Sequence, residues 1–177
     1  MKLILINGPA GVGKTTLSYK LNEVMPMSYV LDLDKQRQFI GQYEKYSEES
    51  RWLSFDIALA IAEVCLRNKR DFIFGKCIFQ VNKKDYSDKI IDKFVKMGKK
   101  HHAEIYELFL MAEKKTTLKR IKQRGYAQKV KNTKEKISEH YSLAEKTLLN
   151  RPKAIMINTD HLSQNETFKK VCEIIKI

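Results

Sequence analysis

The sequence predicts a three-layer α/β/α fold around a five-stranded parallel sheet, with a helical lid. Three observations carry that expectation. Five short apolar runs, each of strand length, alternate with amphipathic segments along the whole 177-residue chain, which is the pattern of consecutive βα units. The first junction between such a run and a helix is rich in glycine, as a turn that closes around an anion must be. No internal repeat, low-complexity tract or linker interrupts the series, so one domain over residues 1–177 is expected, with the lid at about 118–134.

The elements follow from spacing. Leu3–Ile6 is a short, branched apolar run, the signature of a buried strand, and Leu17, Leu21 and Val24 then share one helical face. Tyr29–Leu33 is a second strand, followed by helical pattern over Lys35–Ile40 and Glu48–Leu66, where Trp52, Phe55, Leu59 and Ala62 mark a core-facing side. Asp71–Phe74 is the third strand, Lys84–Lys99 a helix through Ile90, Ile91, Phe94 and Val95, and Ala103–Met111 the fourth strand. Thr116–Arg124 is a short helix that Gly125 ends, and Gly125–Lys129 is expected to be a mobile loop. Thr133–Leu149 is helical, Ala154–Asn158 the fifth strand, and Glu166–Ile175 a closing helix with Phe168, Val171 and Ile174 inward.

Residues Gly8-Pro9-Ala10-Gly11-Val12-Gly13-Lys14-Thr15 fit the pattern G-x-x-x-x-G-K-[ST], between a strand and a helix as its chemistry requires. Glycines let the backbone wrap a phosphate, so that the amides from Gly8 through Ala10, Gly11, Val12 and Gly13 to Thr16 point inward, and the helix N-terminus adds its positive dipole end. Lys14 is expected on the β- and γ-phosphates and the Thr15 hydroxyl on Mg²⁺. The loop implies a nucleoside triphosphate, with ATP and Mg²⁺ as the expected ligands.

Composition bounds the rest. The 43% apolar content is that of a globular chain, and no stretch is apolar for long enough to cross a bilayer or act as a signal peptide. Cys65, Cys77 and Cys172 are odd in number and set in apolar surroundings, which reads as buried, reduced thiols in a soluble cytoplasmic protein without a membrane partner. The net charge of +13 is uneven: residues 1–75 carry 10 basic and 9 acidic side chains, residues 76–177 carry 24 and 12. Between Lys114 and Lys136 ten basic residues face only Glu135. Such a field attracts polyanions, whether ATP, a phosphorylated substrate or nucleic acid, and a solvated lysine-rich surface is the plainer reading. Both a monomer and a homodimer fit these properties.

A second polar cluster ends the second strand, at Asp32-Leu33-Asp34-Lys35-Gln36-Arg37. In a strand, Asp32 and Asp34 would face the same side and reach the cleft at the strand's carboxyl end. One carboxylate can accept the proton of a substrate hydroxyl and the other hold Mg²⁺-bound water. Arg37 could neutralise charge on the acceptor or on a phosphoryl group in transfer. The plainer alternative is Asp34 as N-cap of the helix starting at Lys35, with Arg37 solvated.

These residues resemble the P-loop small-molecule and polynucleotide kinases. Asp32-x-Asp34 is similar to the arrangement of shikimate and gluconate kinases, which implies Asp32 as the metal support and Asp34 as the contact to the acceptor hydroxyl. Asp34-x-x-Arg37 and Phe55-Asp56-Ile57-Ala58 resemble the 5′-polynucleotide kinase domain and its zeta-toxin-like relatives, which implies Asp34 as general base and Arg37 on phosphate. Arg120 and Arg124, four apart on one helical face, look like the lid arginines of this group, one stacking on the base and one reaching the phosphates. A guanidinium suits both tasks where an ammonium does not. The resemblance implies an ATP-dependent phosphotransferase whose acceptor is a hydroxyl of a small molecule, a nucleoside or nucleotide, or a polynucleotide 5′ end; an NTP-binding or NTP-hydrolysing regulatory protein is the alternative.

Two departures stand out. The third strand of the family ends in an acid, whereas here it runs Phe72-Ile73-Phe74-Gly75-Lys76, with Asp71 at the opposite end. The three-glycine acceptor motif of shikimate kinases is missing too. Lys76 could bind an anionic substrate or be a surface lysine. His101 and His102 lack acidic or cysteine neighbours at metal spacing, so a surface or turn role is expected of them.

Overall fold

The computed structural model describes residues 1–78, 86–123 and 133–177. Its strands are β1 (Lys2–Asn7), β2 (Tyr29–Leu31), β3 (Phe72–Gly75), β4 (Glu104–Met111) and β5 (Ile155–Asn158). Its helices are α1 (Lys14–Val24), α2 (Leu33–Arg37), α3 (Ser47–Arg67), α4 (Tyr86–Lys100), α5 (Lys114–Gln123), α6 (Thr133–Leu149) and α7 (Gln164–Ile175). The five strands form one parallel sheet in the order β2-β3-β1-β4-β5. This is the three-layer α/β/α fold that the sequence predicts.

Alternation along β1 separates the two helical layers. Leu3 and Leu5 face a core shared with Leu31, Phe72, Phe74 and residues of α3 and α4, while Ile4 and Ile6 face Leu17, Leu21, Val171 and Ile175 of α1 and α7. A strand buried on both faces needs apolar residues at every position, which is why β1 reads as a continuous run. Phe72, Phe74 and Phe94 are fully buried with ring centroids 5.0–6.4 Å apart, so truncating one would cost about 3–5 kcal/mol. Trp52 and Phe55 join this core, their centroids 6.2 Å apart.

Two differences from the sequence reading matter for the site. β2 stops at Leu31, because the Asp32 Oδ1 accepts hydrogen bonds from the amides of Asp34 (3.1 Å) and Lys35 (3.2 Å) and turns the chain into α2. Asp32 and Asp34 are therefore not alternate residues of one strand, and the N-cap is Asp32, not Asp34. A cap of this kind satisfies two otherwise orphaned amides and is worth about 1 kcal/mol. Second, α5 begins at Lys114 and is described to Gln123. Arg124, the expected loop Gly125–Lys129 and Lys131 lie outside the described residues.

Elsewhere the polar residues hold the frame. Asp71 accepts a bond from the Lys2 amide (2.6 Å), fixing the start of β1. Arg151, at the end of α6, is largely buried on Glu107 (2.7 Å) and Asp92 (2.6 Å). His101 meets Glu63 at 2.9 Å, tying α4 to α3, and His102 takes the positive φ of 55° that ends α4. Cys65, Cys77 and Cys172 are free and half-buried. No described helix is long and apolar enough to cross a membrane.

Candidate nucleotide and acceptor site

The strands run parallel, so the residues that follow β1, β2 and β3 gather at one edge of the sheet. After β1 comes the glycine loop. Gly8, Gly11 and Gly13 have φ of 136°, 79° and 102°, values that side-chain-bearing residues rarely adopt. At Gly8 space adds to the demand, since a Cβ there would overlap the carbonyl oxygen of Leu110 in β4. A Cβ at Gly11 would stand 2.7 Å from the Thr117 methyl of α5, so α5 packs directly on the loop.

Helix α1 starts at Lys14 with Gly13 as N-cap and no side chain accepting its first amides. Those donors are left for an anion, and the dipole favours one. Lys14 is 8% exposed, and its ammonium donates to the Pro9 carbonyl at 2.7 Å, which holds it over the loop. Thr15 is exposed beside it, and its hydroxyl has no partner among the described residues.

Next to the loop, a cavity of about 390 Å³ opens between α1, α5 and the segment after β5, with Gly11, Gly13, Thr16, Arg120, Thr159 and Leu162 in its walls. Its size is that of a small-molecule site. Arg120 donates to the Thr159 hydroxyl (3.1 Å) and carbonyl (2.7 Å), so its guanidinium forms a fixed wall. Behind it, Tyr141 bonds to Ala112 and to Thr117, and burial pushes its phenol above the ordinary value, so it is neutral and structural. The outer face of α5 exposes Lys114, Lys115, Lys119 and Lys122.

The other side of the loop carries the carboxylates. Asp34 stands in the first turn of α2, 72% exposed, and its Oδ1 accepts from the Lys76 ammonium. Asp32, beyond its capping bonds, faces the Tyr19 hydroxyl at 3.4 Å through Oδ2. Tyr19 in turn accepts from Lys35 at 3.0 Å, a bond that raises the Lys35 pKa. Arg37 is turned to the α2–α3 junction, where it donates to the Ser47 carbonyl (3.1 Å) and Ser50 hydroxyl (2.8 Å) and lies over the Tyr43 ring. The arrangement thus brings Asp32, Asp34 and Lys76 to one edge with the loop, and engages Arg37 in the wall of that edge.

Gly75 ends β3 against α1, where a Cβ would overlap the Ser18 hydroxyl. The residue missed by sequence reasoning is Asn7. It is 7% exposed, accepts from the amides of Gly8 (2.8 Å) and Ile78 (3.0 Å), and donates to the Ile78 carbonyl (2.9 Å). An Asn closing an apolar strand, directly before the first loop glycine, was the available signal.

A family model described as an AAA domain matches residues 4–141, from the first strand through the loop, both aspartates and Arg120. The chain belongs to this family. No curated protein matches it. Solved structures similar to this AAA-domain chain include the tunicamycin resistance protein of Deinococcus radiodurans, at 15% identity and a TM-score of 0.65 over 100% of this chain and 97% of that one. The Mycobacterium tuberculosis APS kinase, determined with AMPPNP and APS, is 16% identical at 0.64 over 99% and 98%. A gluconokinase of Sinorhizobium meliloti is 13% identical at 0.66 over 99% and 95%. At these identities the likeness is one of fold: the AAA-domain chain has the P-loop kinase-like fold.

Proposed function

We propose that this chain is an ATP-dependent phosphotransferase that moves the γ-phosphoryl group to a hydroxyl. The observation that carries the reading is that Lys76 ties Asp34 to the end of β1, two residues before the glycine loop: its amide donates to Ile6 at 3.1 Å and its ammonium reaches Asp34. A carboxylate whose second oxygen is unengaged among the described residues, at the same edge as the loop, can accept the proton of an alcohol acceptor.

In this reading the loop amides, Lys14 and Thr16 hold the triphosphate, and the cavity walled by Arg120 takes the base. The donor set suits a hard cation, which asks for few protein oxygens when phosphates and waters complete its shell: the exposed Thr15 hydroxyl and the Asp32 Oδ2 would hold Mg²⁺. When bound, Mg²⁺ neutralises phosphate oxygens. Asp34 accepts the acceptor's hydroxyl proton as the new O–P bond forms and the bond to the ADP oxygen breaks. Lys14 and, from the lid, Arg124 stabilise the charge on the phosphoryl oxygens, while Arg37 shapes the acceptor wall from α2. The chain acts as one domain, in the cytoplasm.

The test is a screen of acceptor hydroxyls with labelled ATP, including a 5′-hydroxyl oligonucleotide. Asp34→Asn is expected to abolish transfer while ATP affinity stays within a few-fold; equal loss of binding, or unchanged turnover, overturns the base assignment. Gly75, where the family has an acid, favours a second reading as an NTP-hydrolysing or NTP-binding regulator. Label recovered only as free phosphate would establish it.

A further inference from the structure

Lys76 is three-quarters buried, with 23% of its side chain exposed, although it follows a strand end at the sheet's open edge. Its backbone is fixed on both sides. The Lys76 amide continues the β1–β3 ladder onto Ile6, and two residues on, Ile78 is held through both its amide and its carbonyl by the Asn7 side chain. A lysine that merely solvates a surface has no need of such a frame. Gly75 before it has no side chain, and the Ser18 hydroxyl stands where its Cβ would be, so Lys76 is the first side chain after β3 to reach Asp34.

We propose that Lys76 is a specificity-determining residue of the acceptor site, and that the acceptor is an anion: a hydroxyl compound carrying a phosphate or carboxylate group. This rests on the phosphotransferase reading above. An ammonium has three donors and no acceptor. One donor goes to Asp34 Oδ1, and no other bond from Lys76 Nζ is formed within the described residues, leaving two donors for a ligand. Among the described residues nothing engages Asp34 Oδ2, which leaves it for the acceptor hydroxyl. The pair therefore offers one acceptor and two charged donors side by side, which matches a hydroxyl and an anionic group on the same molecule. A neutral alcohol would leave the donors facing water.

The experiment uses the full chain, labelled ATP, and matched pairs of sugars, polyols and nucleosides with their phosphorylated or carboxylated counterparts. The wild type is expected to label the anionic members. Lys76→Met should lose about ten- to a hundredfold in kcat/KM on these, the range of one charge-assisted hydrogen bond, with the loss in KM. Activity on a neutral counterpart should fall by clearly less, since it loses only the Lys76 contact to Asp34, and Lys76→Arg should restore much of the anionic preference. Equal loss on charged and neutral members, or a wild type that labels only neutral ones, overturns the proposal while leaving the kinase reading intact. ATP consumption with no acceptor labelled overturns both. Thermal denaturation of each variant separates these outcomes from misfolding, and Lys76→Arg keeps the charge if Lys76→Met does not fold.

Discussion

Gly75 and Ser18 leave no space between them. The Ser18 hydroxyl donates to the Lys14 carbonyl at 2.9 Å and thereby fills the place where a Cβ at Gly75 would stand. An acid at the end of β3, which the resemblance to P-loop kinases leads one to expect, would need the Ser18 hydroxyl to turn away first. Gly75→Ala is expected to destabilise the fold by about 1–3 kcal/mol, the usual cost of an inserted methyl without room. In a Ser18→Ala background the nearest atoms to the same methyl are the Lys14 oxygen at 3.5 Å and the residue-18 Cβ at 3.6 Å. Denaturant titrations of the four proteins in this cycle should show the penalty fall by about 1 kcal/mol or more; strict additivity would refute the contact.

Asn7 couples the glycine loop to the segment after β3 through three hydrogen bonds. Asn7→Ala leaves buried backbone groups without partners, at about 1–3 kcal/mol each. Asn7→Asp keeps the two bonds that Oδ1 accepts, but sets a carboxylate oxygen against the Ile78 carbonyl at a buried position and a charge beside the first loop glycine. Urea denaturation should therefore show both variants destabilised. Titration with a non-hydrolysable ATP analogue should rank Asn7→Asp as the weaker binder.

The fold was legible because apolar periodicity is a statement about two faces. β1 is apolar throughout and lies between two helical layers; α6 spans the predicted Thr133–Leu149. The glycine loop was legible for a different reason, since positive φ at Gly8, Gly11 and Gly13 restricts the choice of residue. What could not be read was the fate of individual polar side chains. Alternation assigns Asp32 and Asp34 to one strand face, but the Asp32 oxygen captures two amides and ends the strand first. Arg37 fits a phosphate contact by spacing, yet Ser47 and Ser50, ten and thirteen residues on, engage it. Asn7 and Lys76 depend on partners 71 and 42 residues away, and no local pattern encodes such distances.

Arg120 is held as a wall by its two bonds to Thr159, and in the proposed reading that wall meets the base and not the phosphates. Arg120→Lys keeps the charge but loses the planar fork. ATP is expected to bind about tenfold more weakly, a change of about 1.4 kcal/mol, whereas inorganic tripolyphosphate should bind with unchanged affinity. Calorimetric titration with both ligands decides it. A parallel loss for tripolyphosphate would place Arg120 on the phosphates instead.

Glu63 links the fold to pH. The Lys100 ammonium, 2.8 Å from Oε1, and then the His101 ring hold its carboxyl below the ordinary value of 4.5. A carboxylate whose pKa is depressed on folding contributes stability that is present above its unfolded value and is lost as pH falls through its folded value. Glu63→Gln should therefore lower the melting temperature at neutral pH, and the gap to the wild type should close below pH 4.5, where the unfolded chain is protonated at this position. Lys100→Met removes the first donor and should close part of the same gap, with the His101 contact keeping the remainder. Thermal melts of the three proteins between neutral and acid pH measure this directly. A wild-type advantage that persists unchanged at acid pH would assign the stability to packing of residue 63 between α3 and α4, and not to its charge.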